Sequence, residues 1–228
     1  MPISEEKPRH LIVLGHPRDG SFNHQVAETY ARVVKTHGQE AEVRDLYALG
    51  FDPLLRLDGG LDAKLEHEIE LVRACDMLVF VYPIWFGTPP AIIKGYVERV
   101  LGAGFQPAEL KSGERGPLAG KRFLTLSTSA TSLPWLNERG QWHSLRQAFD
   151  RYLAELFRFR AAEHIHLDLV AEGASETYLL ELLDRVAMAA RYMCSEIAAE
   201  RHAGAAAAAL TRQAARHDTA EPARAEVV

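Results

Sequence analysis

Two short runs in this chain have the residue types and spacing to hold a ligand. The first is Gly15 to Asn23, GHPRDGSFN, at the end of a short apolar run and just before a helical pattern. A strand-to-helix turn of this kind points free backbone N–H groups at one spot, and the helix dipole adds a positive field, so the turn is built to receive an anion. Ser21 is placed to cap the helix or to give its hydroxyl to a phosphate oxygen, and His16 or Arg18 to add charge; an ordinary loop capped by Ser21 fits the same residues. The second run is Pro83 to Gly87, PIWFG, directly after the apolar run 77–82. It sets Trp85 and Phe86 at the carboxyl end of a buried strand, where open α/β sheets bind their ligands. Gly87 leaves room for a ligand edge to reach the main chain. Two rings packed into the core are the alternative. Taken together, an anion site and an aromatic wall suit a planar heteroaromatic ligand with a phosphate tail, such as a flavin.

Other chemistries find less in the sequence. It has no H-E-x-x-H or Cys/His cluster for a metal and no G-x-S-x-G hydrolase elbow. The loop after the first strand is neither G-x-G-x-x-G nor a Walker P-loop. His164 and His166 alternate on a strand and share one face, a spacing that suits a metal pair but more readily a structural role. Cys75 and Cys194 sit in apolar helical patterns and read as small buried hydrophobes. A net charge of -5 with no Lys/Arg-rich stripe argues against nucleic acid as a partner. With no signal peptide and no apolar run near the ~20 residues of a membrane span, a cytoplasmic location is expected.

These runs need a scaffold, and 228 residues with 47% hydrophobic and 25% charged content make one sizeable domain. Short apolar runs at 10–15, 40–46, 77–82, 121–128 and 162–169 read as strands. Between them, amphipathic periodicity predicts helices at 24–37, 61–74, 90–100 and 142–156, and a long one from a Ser175 cap to about Ile197. Strands alternating with helices mean βαβ units and a parallel sheet with helices on both faces. Five such units fit a flavodoxin-like α/β fold of order 2-1-3-4-5, covering residues 8–202. Residues 105–120, rich in Gly, Pro and charge, read as a loop. From Ala203 to Val228 the chain is Ala-rich; the first half is expected to extend the last helix and the remainder to be a disordered tail.

The pairing of H-P-x-x-x-S-F-N with P-x-W-F-G-x-P-A-x-x-K-G-x-x-E-R-V (Pro83 to Val100) resembles the NAD(P)H:quinone oxidoreductase family, which includes the ancillary flavoproteins of potassium-efflux systems. Asp45-Leu46-Tyr47 and Phe51-Asp52-Pro53 are similar as well, and the likeness spans about residues 10–170. It implies a flavodoxin-like homodimer with FMN or FAD at two interfacial sites. His16, Ser21, Phe22 and Asn23 would hold the flavin phosphate, beside the charge that the residues themselves offer at Arg18, and Pro83, Ile84, Trp85, Phe86 and Gly87 would line the ring. Ser127 and Thr128, at the turn after the fourth strand, would also contact the cofactor. There the family commonly has T-T-G-G, whereas this chain reads Ser127-Thr128-Ser129-Ala130, and a following Tyr is Trp135. The family's active-site His corresponds to His143 once a gap is admitted; an exposed helix-start histidine is the alternative. Lys94 and Glu98 read as an i, i+4 pair.

The resemblance implies two-electron, ping-pong transfer of hydride from NADH or NADPH through the flavin to a quinone, azo or nitro acceptor. The short segment between the second strand and second helix favours FMN over FAD. A second implied role is a flavin-bound regulatory subunit docked on a membrane transporter. A domain of this fold without cofactor is the third reading.

Overall fold

The computed structural model describes residues 6–56, 62–102 and 118–218. Five strands, β1 (Arg9–Leu14), β2 (Glu40–Asp45), β3 (Met77–Pro83), β4 (Arg122–Thr128) and β5 (Ala161–Leu167), form one all-parallel sheet of order β2-β1-β3-β4-β5. The expected fold class and strand order are therefore observed. Strand β3 (MLVFVYP) is buried along its whole length, as a central strand covered on both faces must be.

Period-2 alternation divides the core between the two faces. Leu11, Val13, Phe80, Tyr82 and Phe123 face one way, against α2 (Ala63–Ala74), α3 (Ala91–Tyr96, continuing in π form over Val97–Gly102) and α5 (Gln141–Leu145, π-form Arg146–Arg151, Tyr152–Phe157). Ile12, Leu14, Val79, Val81, Leu124 and Leu126 face the other way, against α1 (Phe22–Thr36) and α6 (Glu176–Asp218). The stripe Val26, Tyr30, Val33 and Val34 carries α1 onto the sheet, and Gly38 at φ +75° ends it in the left-handed region. Arg122, at the start of β4, clasps Glu196 at 2.8 Å and Glu200 at 2.5 Å and so fixes α6 across the sheet.

One helix was not legible in the sequence. Leu133–Glu138 forms a six-residue α4, started by Ser132, whose Oγ accepts the Trp135 N–H at 3.4 Å. A piece this short shows no period. Helix α6 runs through Ala203 without a break to Asp218; the expectation of a disordered end falls on residues 219–228, outside the described residues, as does most of the 105–120 loop.

Gly95 lets α3 meet the segment after β2. A Cβ added there would lie 2.4–2.5 Å from Pro53 Cβ, Cα and carbonyl O. Two of those atoms are backbone, so no rotamer change relieves the clash. Gly95→Ala is expected to destabilise the fold by roughly 1–3 kcal/mol, read as a lower urea midpoint at unchanged slope.

Candidate active site

Strand order reverses between β1 and β3, which opens a crevice at the carboxyl ends of adjacent strands. Three loops meet there, following β1, β3 and β4. Backbone bonds tie them into one rim: Gly15 N–H donates to Val81 O at 2.9 Å and Ile84 N–H to Thr128 O at 2.7 Å. The imidazole of His16 lies 5.7 Å from the indole of Trp85, centroid to centroid, so the first two loops are in side-chain contact.

The aromatic loop is a two-residue turn. Trp85 and Thr88 exchange backbone N–H···O bonds of 3.0 and 3.1 Å, with Phe86 at φ +51° and Gly87 at φ +81° between them. Positive φ at both central positions is costly for a phenylalanine. The consequence is a Phe86 side chain that is fully exposed (106%) and a Trp85 that is 41% exposed, with open space around Gly87. The rings stand out of the core, so the packed-core alternative does not hold for them. Ile84, half-buried, packs against the core behind them.

The anion end is built by α1. Ser21 occupies the N-cap position but makes no cap bond; its hydroxyl lies 2.8 Å from His24 Nδ1. His24 Nε2 in turn lies 3.0 Å from Asp45 Oδ2. A carboxylate only accepts, so the neutral His24 ring donates from Nε2 and takes the Ser21 proton at Nδ1. Ser21 thus presents lone pairs unless His24 is protonated, when its O–H is freed for a phosphate oxygen. Asn23, buried, donates from Nδ2 to Thr128 Oγ1 at 3.0 Å and locks α1 to the end of β4. Burial, the largest influence on His16, lowers its pKa below the usual 6.5, although a hydrogen bond to Arg18 works against this. At neutral pH the positive charge at this end therefore comes from the exposed Arg18, with the His16 ring neutral.

His16, Arg18, Ser21, Asn23, Ile84, Trp85, Phe86, Gly87 and Thr128 are thus gathered on one rim. Others are placed differently. The Phe22 side chain is in the core beside Val26, leaving its backbone N–H to the helix start. Pro83 is the buried last residue of β3. The Ser127 side chain is fully buried below the rim, held by His164 and His166. His143 is exposed on α5, with a weak 3.5 Å contact to Gln147. Lys94 and Glu98 form the ion pair expected of them.

The sequence reading missed His24, Asp45 as its partner, and a polar chain beneath β4 in which Asp150, His164, Ser127, His166 and Ser129 follow one another. The H-x-H on β5 opposite the S-x-S of residues 127–129 was its only signal. No group of three or more His, Cys, Asp or Glu is placed to hold a metal among the described residues, and none of their helices is long and apolar enough to cross a membrane.

A flavin has a planar ring and an anionic tail, and the rim offers exposed rings at one end and α1's uncapped N-terminus at the other. The residues present fit that group. Residues 8–187 match the family model described as flavodoxin-like fold.

The chain belongs to the flavodoxin-like family.

It is 27% identical over 171 residues to an uncharacterized NAD(P)H oxidoreductase of Haemophilus influenzae, covering 72% of this chain and 83% of that protein. It is 32% identical over 149 residues to NAD(P)H dehydrogenase [quinone] 1 of Rattus norvegicus, covering 54% of each, so the chain spans about half the length of that relative. Among solved structures it resembles an NAD(P)H:quinone oxidoreductase from Methanothermobacter marburgensis, with a TM-score of 0.69 and 24% identity, covering 82% of this chain and 96% of the other. It also resembles an FMN-dependent NADH-azoreductase from Bacillus anthracis in complex with FMN, with a TM-score of 0.64 and 13% identity, covering 82% and 99%.

Proposed function

We propose that this flavodoxin-like protein is an FMN-dependent NAD(P)H oxidoreductase that reduces quinones or related azo and nitro compounds by two electrons. The observation that carries this is the Trp85–Thr88 turn, which holds two aromatic rings out of the core beside an uncapped helix N-terminus. The names of the relatives support it. Bound there, FMN supplies the hydride chemistry; the protein supplies position. Trp85, Phe86 and the Gly87 backbone line the ring, while Arg18, Asn23 and the N–H groups of Phe22 and Asn23 take the phosphate, joined by the Ser21 hydroxyl once it turns from His24. Thr128 fixes the spacing between these two ends through its bond to Asn23 and its backbone bond to Ile84. A flat donor and a flat acceptor use the same exposed aromatic face in turn, which suits ping-pong exchange.

A homodimer with a quinone-like small molecule as substrate belongs to this reading, and so does a cytoplasmic setting. In this reading His143, exposed on α5, is a candidate proton donor. The transporter-subunit alternative draws no support from the relatives, whose names are those of reductases and dehydrogenases.

The test is direct. Purified protein incubated with FMN and desalted should be yellow, release FMN on heating, and oxidise NADH or NADPH rapidly once menadione is added. Colourless protein that fails to retain FMN would sink the reading.

A further inference from the structure

Beneath the rim, on the face of the sheet that packs against α5, five side chains form one continuous chain. Asp150 Oδ2 lies 2.6 Å from His164 Nδ1, and His164 Nε2 lies 2.6 Å from Ser127 Oγ. Ser127 Oγ lies 2.8 Å from His166 Nδ1, and His166 Nε2 lies 2.9 Å from Ser129 Oγ. Ser129 Oγ lies 2.6 Å from the Thr131 carbonyl. Asp150, Ser127 and His166 are buried, and the His164 side chain is wholly so. The first three have the order of a hydrolytic triad, but Ser127 has no exposed surface and a second histidine occupies its other side. No substrate reaches that oxygen.

Proton counting gives the chain a different use. Asp150 as a carboxylate only accepts, and each hydroxyl carries one proton. With both rings neutral, His164 donates from Nδ1 to Asp150, Ser127 donates to His164 Nε2, and His166 donates from Nδ1 to Ser127. Ser129 must then donate to His166 Nε2, leaving the Thr131 carbonyl without it. With one more proton every bond beyond the Asp150–His164 contact reverses, while His164 Nδ1–H still donates to Asp150. His164 becomes an imidazolium against Asp150 and donates from Nε2 to Ser127; Ser127 donates to His166 Nδ1. His166, now carrying its proton on Nε2, donates to Ser129, and Ser129 to Thr131. Both arrangements are complete chains, and they differ by a single proton whose charge rests beside the Asp150 carboxylate.

We propose that Asp150, His164, Ser127, His166 and Ser129 are a buried proton store and wire that delivers one proton to the rim of the active site. On delivery the His164 Nε2–H proton passes to Ser127, that of Ser127 to His166 Nδ1, that of His166 Nε2 to Ser129, and that of Ser129 to the acceptor. Four bonds to hydrogen break and four form, no electron moves, and the wire returns to its neutral arrangement. Ser129 follows Thr128 at the carboxyl end of β4, where the rim lies, and its hydroxyl turns from the Thr131 carbonyl to the acceptor on delivery. This use rests on the oxidoreductase reading: a quinone that has taken one hydride is an oxyanion and needs one proton.

The surroundings suit His166 to relaying a proton. Burial, followed by the neighbouring His164, pushes His166 down to about 4, so this ring relays a proton without keeping one; Asp168 opposes that shift and Arg185 adds to it. Thr125 donates to Asp150 Oδ1 at 3.1 Å, and the buried Tyr82 hydroxyl feels the Asp150 charge. The Trp142 ring, 4.6 Å from that of His164 and 5.3 Å from that of His166, covers both.

Long-range proton–nitrogen correlation spectra of the full chain with ¹⁵N-labelled histidine decide the matter, with His164→Gln and His166→Gln for assignment. Between pH 8.5 and 5 the expected result is one common midpoint, at which His164 becomes doubly protonated while His166 stays neutral and exchanges its Nδ1–H tautomer for Nε2–H. In Ser127→Ala the His166 exchange should no longer follow His164. A His166 that keeps one tautomer throughout overturns the wire, and the wild-type spectra alone suffice to show it. With FMN bound, Ser127→Ala should lower kcat for menadione at least tenfold, on the scale of a lost proton donor, and leave the rate of flavin bleaching by NADPH unchanged. Tautomer exchange with undiminished menadione turnover would overturn delivery to the site. Tautomer exchange in a protein that retains no FMN would leave the wire standing and remove the oxidoreductase reading instead.

Discussion

Trp85→Ala should weaken FMN binding by about 1–3 kcal/mol, roughly five- to 150-fold in Kd, on the scale of other aromatic stacking contacts. The indole is 41% exposed, so its removal opens no cavity, and the turn that carries it is closed by backbone bonds between Trp85 and Thr88 that the substitution keeps. The chain should therefore unfold at an unchanged urea concentration while its flavin affinity, measured by fluorescence quenching of FMN, falls. The contact with the His16 ring at 5.7 Å is lost too, which loosens one loop against the other. An unaltered Kd would mean that the ring system lies elsewhere, and the assignment of the aromatic wall would fall with it.

Acid should unfold this protein through two histidines. His10 is buried in the sheet, with Nε2 2.8 Å from Gln39 Oε1 and Nδ1 3.0 Å from the Tyr30 hydroxyl. Gln39 Oε1 only accepts, so the neutral ring donates to it and accepts from Tyr30; an added proton would force the Tyr30 hydroxyl to give up that bond and turn its own proton elsewhere. Burial is the main cause that pushes His10 down to about 4, and His166 is likewise at about 4. In the unfolded chain both have a pKa of about 6.5. The folded pKa values are the lower ones, so the contribution is fully present above pH 6.5 and is lost as the pH falls from there toward 4, because only the unfolded chain takes up the protons. Each histidine should remove about 2 kcal/mol between pH 7.5 and pH 5. Together that is a large part of a usual folding free energy. Urea unfolding across this range should show uptake approaching two protons, falling by one in His10→Gln. A slope near zero between pH 6.5 and 5 would refute the account.

How much of this was legible depends on the range of the forces involved. The burial of β3 along its whole length follows from an unbroken apolar run, and the helices α1 and α6 from stripes at helical spacing. Residues Gly15–Asn23 and Pro83–Gly87 were readable as a site because each is a contiguous segment joining a strand to a helix. The exposure of Phe86 was foreshadowed by Gly87, which supplies half of the turn. The π-form turns in α3 and α5 and the short α4 were not readable, since neither a wide turn nor six residues leave a period. His143 stood out by type and alignment, yet lies on the surface, whereas His164 and His166 looked like bystanders.

The sequence by itself determined the sheet, its order, and the rim where β1 and β3 end, because strand periodicity and right-handed crossovers leave few alternatives. It also determined that two rings stand in the second loop. Only the tertiary structure decided which polar groups work together. The Asp45–His24 contact joins β2 to α1, and the chain from Asp150 to Ser129 joins α5, β5 and β4, across separations of 14 to 39 residues. Hydrogen bonds act over about 3 Å, so such a network exists only once folding has set the strands in register.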